Sequence, residues 1–191
     1  NALLSPFDAV VSAFGCLVQA IAGLFVGSGG SSGGGGPGNG TYSGYGNGFA
    51  GCFAAETRVL LEDGRFKTIN EIKPGDRVYT GPGRVKVATV TETHERMSEQ
   101  IREIRYRHPD TGVIETLRAT DEHLIWVDGK GWTAAQKLAP GQWLFNEQGR
   151  RMEVIENRIW GQPLKVYTFR LHEDAVFYAN GVLVHDLCGQ W

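Results

Sequence analysis

Charge is missing from the first quarter of the chain: after Asp8 no acidic or basic side chain occurs until Glu56. That gap excludes an ordinary charged protein surface there and marks a boundary near residue 52. Cysteine is scarce. Cys16, Cys52 and Cys188 are odd in number and far apart, which fits neither a disulfide framework nor a zinc ribbon and leaves free thiols. Basic excess is absent too. The net charge is −2, with both signs interleaved from Glu56 to Asp186, so there is no basic face for nucleic acid or for an anionic membrane.

Residues 9–26 are apolar apart from Ser12 and Gln19 and approach the length of a membrane span. No Lys or Arg precedes them, so the basic start of a secretory signal is lacking. Two readings stay open for residues 1–26: a hydrophobic helix packed on a neighbouring upstream domain, or a segment in contact with a membrane. Residues 27–51 are dominated by Gly with Ser, Asn and Tyr. Too poor in side chains to build a core, they are expected to act as a flexible linker.

The charged block, residues 52–186, is long enough to bury a real core. It is built twice. Residues 66–80 (FKTINEIKPGDRVYT) align without a gap on residues 132–146 (WTAAQKLAPGQWLFN), and residues 59–65 match residues 125–131 with a one-residue slip. Each copy reads as strand, tight turn, short helical turn, Pro-Gly turn and strand. Pro74-Gly75 and Pro140-Gly141 suit type II turns. Further strands are predicted over 85–92, 101–108, 113–120, 151–157 and 165–171, and a last hairpin turns on Asn180-Gly181. The expectation is an all-β domain with a pseudo-twofold repeat.

Cys52 sits where the linker ends. A thiol β to its own amide nitrogen can attack the preceding carbonyl through a five-membered ring, and Gly51 offers no side chain to obstruct it. The step needs a polarised carbonyl and a proton for the departing nitrogen. His123 is the expected donor, since imidazole titrates near neutrality. Thr120, three residues earlier, is expected to bind the scissile peptide or hold His123. Asp121 and Glu122 either orient the imidazole or are solvated turn residues. At the other end, His185 precedes Asp186. An Asn there would close a succinimide on its own carbonyl, with His185 polarising that carbonyl or protonating the leaving amine; a carboxylate does this poorly. Leu187 and Cys188 flank that second junction, Cys188 one place late for a thiol freed with the downstream segment. No cofactor is required and no metal is assigned; Cys52, His123, His185 and Cys188 would suit a soft metal mainly as an inhibitor.

These motifs resemble the Hint superfamily: inteins, bacterial intein-like domains, Hedgehog autoprocessing domains and pre-toxin Hint domains. CFAAETRVLLEDGRFKTINEIKPGDRVYT is similar to the N-terminal splicing block, ATDEHLIW to the block carrying Thr-x-x-His, and VYTFRLHEDAVFYANGVLVHD to the fused C-terminal blocks. The resemblance implies a horseshoe-shaped, all-β Hint fold over residues 52–186, with residues 187–191 opening a downstream segment. It implies roles for Cys52, Thr120, His123 and His185, with no inserted homing endonuclease. Three departures disable the C-terminal half of splicing: Asp186 replaces the final Asn, Leu187 replaces the following nucleophile, and Ala175 stands where a His is often found. Cleavage at Gly51–Cys52 is therefore expected over full protein splicing. The domain's own flanking segments are the substrate, and water or a small thiol resolves the thioester. The linker and the YANGVLVHD ending look most like pre-toxin Hint domains, which implies a downstream toxin and a secreted or cell-surface bacterial protein. The rival readings are an inactive Hint scaffold serving as spacer or binding module, and a cysteine peptidase with Cys52 and His123 as its dyad.

Overall fold

The computed structural model describes residues 51–81, 84, 86–172 and 176–186. The hydrophobic segment, nearly all of the linker, Ala175, Leu187 and Cys188 lie outside the described residues. Among those described, no helix is long and apolar enough to cross a membrane.

The described residues form fourteen strands: β1 (Phe53–Ala54), β2 (Arg58–Leu60), β3 (Phe66–Thr68), β4 (Arg77–Thr80), β5 (Lys86–Ser98), β6 (Ile101–Arg107), β7 (Ile114–Thr120), β8 (Leu124–Val127), β9 (Gly131–Ala134), β10 (Trp143–Phe145), β11 (Arg151–Ile159), β12 (Leu164–Leu171), β13 (Val176–Ala179) and β14 (Val182–His185). They pair in the order β3-β2-β13-β14-β8-β10-β11-β6-β7-β1-β12-β5-β4, with β9 added on β8. The all-β expectation holds. Alternation explains the long strands: in β7 Leu117 and Ala119 are fully buried, while Ile114, at its start, stays exposed. The inward sets of many strands merge in one core, with Phe53, Ile104, Leu117, Leu144, Phe169 and Phe177 all within it.

Two expectations need correction. The strand predicted over 85–92 continues to Ser98, because β5 is laid along β12 from Val90 to Ser98 and its charged residues face solvent. The charged run His94-Glu95-Arg96 lies within β5. The central β1 was not foreseen at all. Two residues give no periodicity, yet Phe53 pairs with Ala119 of β7 and Tyr167 of β12.

The internal repeat is real, and its backbone register needs no slip. Hydrogen bonds recur at a constant offset of 66 residues: Gly64 to Leu61 and Lys130 to Val127, Ile72 to Ile69 and Leu138 to Ala135, Asp76 to Lys73 and Gln142 to Ala139. Short 3₁₀ turns at Ile69–Glu71 and Ala135–Lys137 obey the same offset. Gly75 and Gly141, at φ 94° and 84°, occupy the third position of the two Pro-Gly turns, as a type II turn requires. The side-chain caps repeat as well: Asp76 accepts the Lys73 N–H at 2.8 Å and Gln142 accepts the Ala139 N–H at 3.0 Å. Asn180 and Gly181 both have positive φ, so β13 and β14 join through the tight primed turn that Asn-Gly favours.

Candidate functional site

β1 leads the chain's first described residues into the middle of the sheet, between β7 and β12. Thr120, the last residue of β7, grips Cys52 twice. Its N–H donates to the Cys52 carbonyl at 2.9 Å, and its hydroxyl oxygen accepts the Cys52 N–H at 3.0 Å. The nitrogen of the Gly51–Cys52 peptide is thus held by a buried, directional partner.

His123 follows in a turn closed by its own N–H to the Thr120 carbonyl at 3.1 Å. Its ring is 1% exposed and lies against Phe53, with centroids 4.0 Å apart. The ring also lies against Gly51. A Cβ on Gly51 would overlap Nδ1 and come within 2.9 Å of Cγ, so glycine is the residue that fits before Cys52. Neither ring nitrogen completes a well-formed hydrogen bond, although the Gly51 and His185 backbone is near enough to draw its pKa upward a little. Burial dominates and, with the nearby His185, holds the His123 pKa down to about 3. The imidazole is neutral at physiological pH.

The depressed pKa has a stability consequence. Unfolded His123 takes up a proton near pH 6.5, whereas the folded ring resists until about pH 3. The unfolded state therefore binds more protons between those limits, and stability falls as pH drops through that window. The expected loss is about 2 kcal/mol between pH 7 and pH 5, measurable as a lower urea midpoint. A His123→Leu variant should lose most of that pH dependence; an unchanged slope would mean other groups are responsible.

The Cys52 side chain is 1% exposed and packs with Ile101 and Val166. Burial raises its thiol pKa; Arg96 opposes that rise and Glu122 adds to it. Arg96 escaped the sequence reading because it lies on β5, two strands from β1, and no local motif marks it. Asp121 does not orient the imidazole: its carboxylate accepts from Arg102 at 2.9 Å. Glu122 is exposed.

At the second junction, His185 Nδ1 makes a hydrogen-bonding contact with the Asp186 carbonyl oxygen. That oxygen belongs to the peptide following residue 186. Burial lowers the His185 pKa, partly offset by that carbonyl. The ring meets Trp132 edge-on at 5.0 Å, and Trp132 meets Trp126 at 5.1 Å, so β9 and β8 brace it. The Asp186 side chain is buried, and its Oδ2 accepts the Leu171 N–H at 2.9 Å. Val184 pairs with Ile125, which brings the end of β14 beside the start of β8, next to His123. Cys52, Thr120, His123, His185 and Asp186 are thus drawn toward one end of β1, β7, β8 and β14. Among the described residues no group of three or more His, Cys, Asp and Glu is arranged to hold a metal ion.

The site falls at a position that the repeat duplicates. The bonds Thr57 N–H to Ala54 carbonyl and Ile69 N–H to Thr57 carbonyl match His123 to Thr120 and Ala135 to His123 at the same offset of 66. Ala54 and Thr57 therefore occupy the positions that Thr120 and His123 hold in the second copy. One copy carries the polar pair; the other packs Ala54 and Thr57 away from solvent.

The model of the pretoxin Hint domain family matches residues 59–187, a stretch that includes Thr120, His123, His185 and Asp186 and begins after Cys52. A bacterial intein-like domain from Clostridium thermocellum is 31% identical and overlays 71% of this chain and 98% of its own, with a TM-score of 0.60. The DnaB intein of Synechocystis sp. PCC 6803, 16% identical, overlays 71% of this chain and 98% of its own with a TM-score of 0.59, a likeness of fold alone. Protein hedgehog of Drosophila virilis is 37% identical over 79 residues, 40% of this chain. The matched stretch covers only 16% of that hedgehog chain. With the family model spanning more than half of the sequence and the fold shared along nearly the whole of the Clostridium domain, the chain belongs to the pretoxin Hint family of intein-like autoprocessing domains.

Proposed function

We propose that this domain cuts its own chain at Gly51–Cys52 by an N-to-S acyl shift. The Cys52 sulfur attacks the Gly51 carbonyl carbon, forming a C–S bond and a tetrahedral oxyanion. The C–N bond then breaks, the Cys52 nitrogen leaves as an amine, and a thioester remains. Neutral His123 can accept the thiol proton and return it to the departing nitrogen, because negative charge growing on the adjacent Gly51 oxygen raises the basicity of the ring. Thr120 keeps that nitrogen in register through the hydroxyl contact at 3.0 Å. This contact, with His123 against Gly51, is the observation that carries the proposal. Water or a small thiol then resolves the thioester, releasing residues 1–51 from a fragment that begins with Cys52. The reaction runs once per chain and consumes no cofactor.

The second junction supports at most slow scission after Asp186, since the carboxylate is committed to the Leu171 N–H. A downstream toxin, freed or exposed by the first cut, is the partner that fits the family. A peptidase acting on other proteins fits less well: it needs an open nucleophile, and Cys52 is 1% exposed.

Intact-mass spectrometry with and without dithiothreitol tests the reaction. A thiol-dependent split between Gly51 and Cys52, absent in Cys52→Ala, is the expected result. A full-length mass under both conditions would favour an inert Hint scaffold, and normal release of residues 1–51 by Cys52→Ala would sink the mechanism.

A further inference from the structure

Arg96 stands out because its charge is not spent on a carboxylate. The arginines around it are engaged: Arg102 with Asp121, Arg105 with Glu156, and Arg118 and Arg158 with Glu103. On the neighbouring strand, Lys165 takes Glu95. Arg96 has no such ion pair among the described residues.

Its position is set by register. Ala54 pairs with Val166 across β1 and β12, and Val166 pairs with Arg96 across β12 and β5. The three side chains stand in one row. Residues two apart on an extended chain share a face, which puts Cys52 on the same side as Ala54, Val166 and Arg96. The packing agrees, since Cys52 and Val166 belong to one small apolar cluster with Ile101. On that shared face the positive charge of Arg96 opposes the rise that burial imposes on the Cys52 pKa.

We propose that Arg96 activates Cys52, its guanidinium stabilising the thiolate that attacks the Gly51 carbonyl. This role rests on the acyl-shift reading and adds a group to it. The thiol is buried, and burial alone would keep it protonated and unreactive. His123 holds the proton transiently; Arg96 holds the charge left behind. The other charge acting on the sulfur is that of Glu122, which works against Arg96; neutral His123, in the turn after β7, lies against Gly51. Because Arg96 and Glu122 are exposed, their influence is open to screening by salt.

The test uses the full chain with Cys16→Ser and Cys188→Ser, so that Cys52 is its one thiol. Rates of dithiothreitol-induced cleavage are followed from neutral to alkaline pH for the parent, Arg96→Met, Arg96→Lys and Glu122→Gln. Arg96→Met should cleave about tenfold more slowly near neutrality, with its pH inflection moved up by about one unit and its alkaline rate converging on the parent's. Arg96→Lys should recover most of the rate, and Glu122→Gln should move the inflection down. An unmoved inflection in Arg96→Met, or a loss equal at every pH, would overturn the role. The pH dependence of the ultraviolet thiolate absorbance, taken as the difference from Cys52→Ala, gives a second readout that needs neither cleavage nor access to the buried thiol. If the parent never cleaves, the acyl-shift reading fails. Arg96 is then judged by whether the thiolate midpoint still rises in Arg96→Met: a rise upholds its action on the thiol, and an unchanged midpoint removes it.

Discussion

Replacing His123 with leucine is expected to make the domain more stable and nearly inactive. The two effects share one cause. Both ring nitrogens of His123 are buried without a well-formed hydrogen bond, and a buried polar group left unpaired costs about 1–3 kcal/mol. Leucine has similar bulk and can keep the contact with Phe53 while removing the unpaired nitrogens. The unfolding midpoint should rise by a few degrees, as about 1 kcal/mol gives in a domain of this size. Cleavage at Gly51–Cys52 should fall by about 10²–10⁴-fold, the usual worth of a positioned acid-base group. Thermal unfolding and intact-mass kinetics on the same samples check both halves. A variant that is less active but also less stable would mean that His123 chiefly supports packing. One that retains full activity would remove the imidazole from the mechanism.

Such a conflict between stability and reactivity shows why parts of the molecule were legible in the sequence and others were not. The repeat was readable because Pro74-Gly75 and Pro140-Gly141 have a strong local conformational signature and lie among matched apolar positions. The hairpin at 180–181 was readable for the same local reason. Phe53 and Ala54 had no such signal. A two-residue strand acquires its identity from β7 and β12, which are remote in sequence. Arg96 is the same problem at the level of a side chain: its relation to Cys52 runs through Val166 on an intervening strand. The Thr-x-x-His turn was recognised as a motif, but its likeness to Ala54-x-x-Thr57 was hidden, because no side chain is shared and only the backbone bonds repeat. Local chemistry can be read from residue types; the registers that assemble it cannot.

Asp186→Asn should restore cleavage after residue 186, by about 10²-fold over the parent, the scale of one well-placed reacting group. The surroundings already suit that step. His185 Nδ1 can donate to the residue-186 carbonyl oxygen, polarising the carbon to be attacked. The Leu171 N–H needs an acceptor, and it now takes an Asp186 carboxylate oxygen. An asparagine would supply its carbonyl oxygen to Leu171 and leave its amide nitrogen as the nucleophile. Attack forms a C–N bond, closes a succinimide and expels the downstream amine; the carboxylate would instead have to form an anhydride. Mass spectrometry should detect a shortened chain ending in the succinimide or its hydrolysis product. The double variant Asp186→Asn with His185→Ala should lose most of the gain while keeping the thiol-dependent cut at Cys52. If Asp186→Asn stays intact, a missing nucleophile is not the fault at the second junction. If it cleaves equally well without His185, the contact with the Asp186 carbonyl has no part in the reaction.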